Sequence, residues 1–259
     1  MSLHSILSGV SDRADIPAGW GQGRATYGGL VAALMQTALE RQVSGDRPLR
    51  SATISFVGPL TTGEVSLQAE LIRSGKSTLQ AECRASQDGR TGAIMLACFG
   101  AGRSSELQVA HAAAPAMKAP EDCLQLPWIP GLTPEFTQQV ELRWSQGGLP
   151  FSGHDSADIA GWVRLKDSPE TLTPALVMAL VDAWPPAVVA RLKGPAPLST
   201  MTWAMEYLAP VQPFARDGWW PYVAETVHAG EGYAQIRSSL WTPAGELAAL
   251  GQQSVAIFA

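Results

Sequence analysis

One structural plan occurs twice along this 259-residue chain, and that repetition constrains its fold more than any other feature. The run from Gly28 to about Val43, GGLVAALMQTALERQV, has apolar residues at helical spacing. Four strand-like runs follow it, PLRSATISFVGPL, EVSLQAELIRSG, KSTLQAECRASQDG and RTGAIMLACFGAG, separated by Gly, Pro and Asp turn signals. The second round opens with possible strands at FTQQVELRW and IAGWVRL, then a helix beginning TPALVMAL. Four more runs complete it: PLSTMTWAMEYLAPV, WWPYVAETVHAG, EGYAQIRSSLWTPAG and ELAALGQQSVAIF. The punctuation also matches, FVGPL with YLAPV, LIRSGKS with TVHAGEG, and ASQDGR with LWTPAGE, as an internal duplication requires. Between the rounds, from about Gly102 to Pro134, the composition shifts to Ala, Pro and Ser without a sustained period, which reads as a linker. The expected division is an N-terminal half at 1–103, a linker at 104–134 and a C-terminal half at 135–259.

Both helical runs are apolar on nearly every side, so each is expected to be enclosed by protein rather than laid against solvent. An antiparallel meander that must also bury one face does so most economically by wrapping around its helix, which predicts an α+β fold. A hydrophobic fraction of 46% with 16% charged residues fits a packed chain. The net charge of −5, with scattered Lys and Arg, excludes the basic stripe that a nucleic-acid partner would need. No apolar run reaches the roughly 18 to 20 residues of a membrane span. The start, MSLHSILSGVSDRADIP, lacks the basic flank and apolar core of a signal peptide, so a cytoplasmic location is expected. Cys83, Cys98 and Cys123 are odd in number and irregularly spaced, which argues for free thiols, with Cys83 and Cys98 read as core. His4, His111, His154 and His228 stand far apart, and neither a metal nor another cofactor is expected.

Asp182 is the one charged residue in TPALVMALVDAWPPAVV. On a helix its neighbours one and two turns back are Met178, Ala179 and Ala175, so its own stripe is apolar. A carboxylate there needs hydrogen-bond donors, or its pKa rises until it holds a proton. An exposed Asp near a helix end stopped by Pro185 and Pro186 is the competing reading. Gln36 lies eight residues after Gly28, and Asp182 eight after Pro174, so the two polar positions coincide under the duplication. Gly28 and Gly29 can present backbone N–H groups without side-chain obstruction, whereas Pro174 has none. Pseudo-twofold packing would therefore build one composite site from the glycine end of the first helix and Asp182 of the second. The mirror site, with Gln36 and Pro174, would lack both the carboxylate and one of the two unobstructed N–H groups.

A glycine-led helix wrapped by a meander, present twice in one chain, resembles the double hotdog fold. In detail, ATYGGLVAALMQTA, LVDAWPP, LSTMTWAMEYLAP and LGQQSVAIF resemble the acyl-CoA thioesterase II (TesB-like) family. Related single-hotdog thioesterases carry a Gly pair at the helix start and an acid eight positions beyond the first Gly, a pattern the two halves here divide. The resemblance implies hydrolysis of an acyl-CoA to a free carboxylic acid and CoA without metal or redox cofactor. It assigns Asp182, Thr200 and Gln252 as a hydrogen-bonded trio that orients and activates water, with Gly28 and Gly29 forming the oxyanion hole. On residue type alone Thr202 and Gln253 compete for two of these roles. Strand alternation lets only one of Gln252 and Gln253 face inward, whereas Thr200 and Thr202 share a face. Tyr27 stands where related hotdogs often have His or Phe, and Leu30 where TesB-like sequences often have Gln, departures that bear on substrate preference. Trp184 and Trp203 read as acyl-pocket walls or as plain core, and Arg24, Arg73 and Lys76 are scattered candidates for CoA phosphates. A homo-oligomer of double-hotdog chains, paired through sheet edges, is expected. The alternatives are a hotdog that binds acyl ligands without hydrolysing them, and a hotdog hydratase, for which neither helix supplies a His.

Overall fold

The fold was read from a computed structural model that describes residues 1–43, 47–169, 172–208 and 218–259. Its helices are α1 (Leu3–Ser8), α2 (Gly28–Glu40) and α3 (Pro174–Val181). The N-terminal half adds β1 (Arg13–Ile16), a small hairpin β2 (Gly21–Gln22) and β3 (Ala25–Thr26), and the meander β4 (Leu49–Phe56), β5 (Gly63–Ser74), β6 (Thr78–Gln87) and β7 (Arg90–Gly100). The remainder supplies β8 (Leu124–Gln125), β9 (Val140–Gln146), β10 (Ile159–Leu165), β11 (Leu198–Tyr207), β12 (Trp220–Gly230), β13 (Tyr233–Trp241) and β14 (Leu247–Ile257).

Twelve of these strands form a single antiparallel sheet in the order β1-β5-β6-β7-β4-β11-β14-β13-β12-β10-β9-β8. Each of the helices α2 and α3 is followed by four strands, and the sequential order is permuted identically in both halves, as β5-β6-β7-β4 and β12-β13-β14-β11. The halves meet at β4 and β11, where Ser51 to Ser55 pair with Glu206 to Thr202. The offset that carries Phe56 to Tyr207 also carries Thr53 to Ala204, its own partner across the seam, so a pseudo-twofold axis passes through that pair. Even an irregularity is duplicated: the register shifts between Leu49 and Ser51 against β7, and between the equivalent Thr200 and Thr202 against β14. The arrangement is a double hotdog. The expected match of FVGPL with YLAPV holds through Tyr207, while Ala209, Pro210 and Val211 lie outside the described residues.

Both long helices are enclosed, as their composition requires. In α2 every residue from Gly29 to Leu39 except Thr37 is buried, and in α3 every residue from Ala175 to Val181. The α3 helix starts where its sequence dictates: the Thr173 hydroxyl accepts the Leu176 N–H at 3.4 Å, and Pro174 occupies the first turn, where no N–H is needed. It ends earlier than expected, at Val181, so Asp182 is the C-cap rather than a mid-helix residue. Phe136 to Gln138 also depart from the expected strand; they form a 3-10 turn (Glu135–Gln138), and β9 begins only at Val140. The linker composition hid a 3-10 turn (Pro120–Asp122) and β8. Its preceding stretch is tied to the C-terminal half by Trp162 Nε1 donating to Lys118 O at 2.9 Å and Trp241 Nε1 to Ala112 O at 2.9 Å. Cys83 is buried, and burial pushes its thiol up to about 12, in keeping with a core role. Among the described residues no helix is long and apolar enough to cross a membrane.

Candidate active site

The C-cap position aims the Asp182 side chain across the helix pair at the N-terminus of α2. Gln253 Nε2 donates to Asp182 Oδ1 at 2.8 Å, and the backbone N–H of Gly29 also acts on the carboxylate. The other oxygen, Oδ2, lies 2.9 Å from where a Cβ on Gly28 would stand, with Phe56 Cζ 3.3 Å from the same point. Any side chain at position 28 would displace the acid, which is a physical reason for glycine there. At Gly29 a Cβ would fall 2.5 Å from the ring Cζ and hydroxyl oxygen of Tyr27, so the second glycine serves the tyrosine rather than the acid.

Burial is the largest influence on Asp182 and pushes its pKa up from 3.8 to about 7, opposed by the Gln253 hydrogen bond and the Gly29 amide. The residue is nevertheless only partly buried. Its carboxyl therefore exchanges a proton near neutral pH rather than in the ordinary carboxylate range.

The structure brings some of the sequence-expected residues together and separates others. Gln253, not Gln252, reaches Asp182; Gln252 points to the opposite face and is exposed. A signal for this parity lies in the strand itself, because Gln253 alternates in phase with Ala249, Val255 and Ile257, which face the core. Thr200 and Thr202 do not share a face, contrary to simple alternation. The bulge between them turns Thr200 to the inner side, half-buried and paired with Val255, while Thr202 is exposed. Among the described residues no hydrogen bond joins Thr200 to Asp182 or Gln253. Trp184 and Trp203 are core residues, 5% and 0% exposed, and Trp184 stacks on Tyr222 at 5.3 Å. Arg24, Arg73 and Lys76 are all exposed.

The pseudo-twofold shows what the mirror position holds. Gln36, 0% exposed, stands at the register of Asp182; its Nε2 donates to Glu40 Oε1 at 2.8 Å and its Oε1 accepts from the Tyr207 hydroxyl at 3.0 Å. Tyr207 is the counterpart of Phe56, and its oxygen also lies 3.0 Å from Pro174 O. Thr200 corresponds to Leu49, and Gln253, opposite Trp203, corresponds to Ala97, opposite Ala52; both counterparts are buried. The acid, hydroxyl and carboxamide of one end are thus replaced by a satisfied amide and two apolar side chains at the other.

The family described as acyl-CoA thioesterase N-terminal domain matches residues 16–100, and that described as acyl-CoA thioesterase C-terminal domain matches residues 120–257. Similar solved structures include a hotdog-fold protein of unknown function from Alicyclobacillus acidocaldarius, with a TM-score of 0.85 and 23% identity over 95% of this chain and 92% of that one. The acyl-CoA thioesterase II TesB2 of Mycobacterium marinum has a TM-score of 0.73 and 20% identity over 95% and 91% of the two chains. A tesB protein from Mycobacterium avium subsp. paratuberculosis has a TM-score of 0.77 and 16% identity over 98% of each. At these identities the structures establish the shared fold. A search of the curated proteins found no match. The chain belongs to the acyl-CoA thioesterase family in its double-hotdog, TesB-like form, and its reaction class is hydrolysis of an acyl-CoA thioester.

Proposed function

We propose that Asp182 is the general base of the hydrolysis and that each chain carries one working site. The observation that supports this most is the placement of a partly buried carboxylate, raised to about 7, between the Gln253 amide and the N-terminus of α2. Asp182 takes a proton from a water molecule as the water oxygen attacks the thioester carbonyl carbon. The carbonyl oxygen becomes an oxyanion. Leu30 and Val31 N–H bond back to Tyr27 O at 3.1 and 3.2 Å, leaving the amides of Gly28 and Gly29 at the helix tip to face outward. Gly29 already acts on the acid, so Gly28 is the principal oxyanion donor, helped by the positive end of the helix dipole. Collapse of the tetrahedral intermediate breaks the C–S bond, and the proton held by Asp182 returns to the departing thiolate of CoA.

Gln253 takes the role that the family resemblance gave to Gln252: it holds the acid and, through its carbonyl, the attacking water. Thr200, on the same inner face, is the hydroxyl partner of that water. The hydratase alternative is disfavoured because all four histidines are exposed and none bonds to Asp182. We also assign the protein to the cytoplasm, where its three free cysteines suit the reducing setting.

Thiol release from short, medium, long and aromatic acyl-CoAs tests the activity and finds the preferred acyl group. On the best substrate, Gln253→Ala is expected to lower kcat by on the order of 10-fold or more, as befits loss of a group orienting the base and water, while Gln252→Ala leaves it unchanged. The opposite ranking would return the carboxamide role to Gln252. Specific acyl-CoA binding with no thiol release from any substrate would support the non-catalytic alternative.

A further inference from the structure

Tyr27 reaches both helices of the site. Its backbone caps α2, and its carbonyl accepts the N–H groups of Leu30 and Val31. Its side chain leaves the N-terminal half, and its hydroxyl donates to the backbone carbonyl of Ala179, in the last turn of α3. That carbonyl lacks its ordinary helical partner, because the Ala183 N–H turns back to Leu180 O at 3.2 Å instead of continuing the ladder to Ala179. The phenol thus fills a vacancy at the helix end, three residues before the acid.

The ring is held as firmly as the hydroxyl. It stacks on Phe136 with centroids 3.9 Å apart and planes at 6°, and on Trp20 at 6.4 Å, and it is 1% exposed. Phe136 belongs to the C-terminal half and Trp20 to the N-terminal arm, so the stack crosses between them. Gly29 leaves space for the ring to fold back along α2, since a Cβ there would overlap it.

We propose that Tyr27 is a positioning residue: by capping the end of α3 from the start of α2, its hydroxyl sets the separation between Asp182 and the amides of Gly28 and Gly29. This rests on the general-base reading of Asp182. Without the O–H, the last turn of α3 loses its cap and the acid withdraws from its donors. Tyr27 itself is buried and offers no surface to substrate, so the loss falls on the chemical step.

The test is Tyr27→Phe, which keeps the ring, compared with Phe136→Leu, which thins the stack and keeps the hydroxyl. For Tyr27→Phe, kcat should fall about 10-fold with KM unchanged, because displacing a reacting group by a fraction of an ångström is felt in the transition state. The ionisation limb of kcat/KM should also move to higher pH as the acid loses the Gly29 amide. Phe136→Leu should lower thermal stability and leave that limb in place. A Tyr27→Phe enzyme with unchanged kcat and an unmoved limb, or one whose pH profile shifts no more than that of Phe136→Leu, would overturn the proposal. Asp182→Asn measured alongside separates the two ideas: an active Asp182→Asn enzyme refutes the base itself, whereas an inactive one with an unaffected Tyr27→Phe refutes only the positioning role.

Discussion

Asp182→Asn is expected to lower kcat by about 10²- to 10⁴-fold, the contribution a positioned general base makes, while leaving the fold intact. The asparagine keeps the size of the side chain and can still accept from Gln253 Nε2, so binding should change little. The same substitution should stabilise the protein. Because the folded-state pKa of Asp182 is raised from 3.8 to about 7, the folded chain binds its proton more tightly than the unfolded chain. Stability contributed at this position is therefore fully present below pH 3.8 and is lost progressively as pH rises to about 7, where the buried group becomes charged. Asparagine never charges. The melting temperature of Asp182→Asn should exceed that of the wild type at pH 8, with the gap closing as pH falls towards 4. A variant that loses activity and is also less stable at pH 8 would indicate a structural acid.

Gly29→Ala is expected to destabilise the protein by about 1–3 kcal/mol, the usual cost of overpacking a filled core. Its methyl carbon would lie 2.5 Å from the Tyr27 ring and hydroxyl, and the ring cannot yield, being pinned by Phe136, Trp20 and the bond to Ala179 O. Moving the ring also moves the α3 end that carries Asp182. Turnover should therefore fall by more than the lost stability explains, measured well below the melting temperature, where the chain is fully folded. A stable, fully active Gly29→Ala protein would show that the close approach of Tyr27 is dispensable.

The architecture was legible because its two longest signals are periodic. Enclosed helices must be apolar all round, as GGLVAALMQTAL and TPALVMALV are, and the meander strands alternate between turn residues. The short elements were not legible. The six residues of α1 place Leu3, Ile6 and Leu7 at helical spacing and the four of β1 alternate through Ala14 and Ile16, but each pattern spans too few residues to stand out from its surroundings. Asp182 and Gly28 could be paired from the sequence because their chemistry is unusual for their surroundings. Gln253 was within reach of strand parity, since it keeps step with Val255 and Ile257. Thr200 was not, because a one-residue bulge inverts the phase of β11 and nothing in LSTMTW marks it. Tyr27 shows the same limit: its register identifies it as a helix cap, but the bond to Ala179 O depends on where a helix 152 positions away comes to an end.

The placement of the acid of one helix against the amide tip of the other is most directly tested by titrating the Asp182 carboxyl, observed by carbon NMR with labelled aspartate and assigned by Asp182→Asn. The account predicts a midpoint near pH 7, coincident with the ionisation limb of kcat/KM and raised in Gln253→Ala, which removes a donor to the charged form. A carboxyl titrating near 3.8, with kcat/KM unchanging through neutrality, would contradict it.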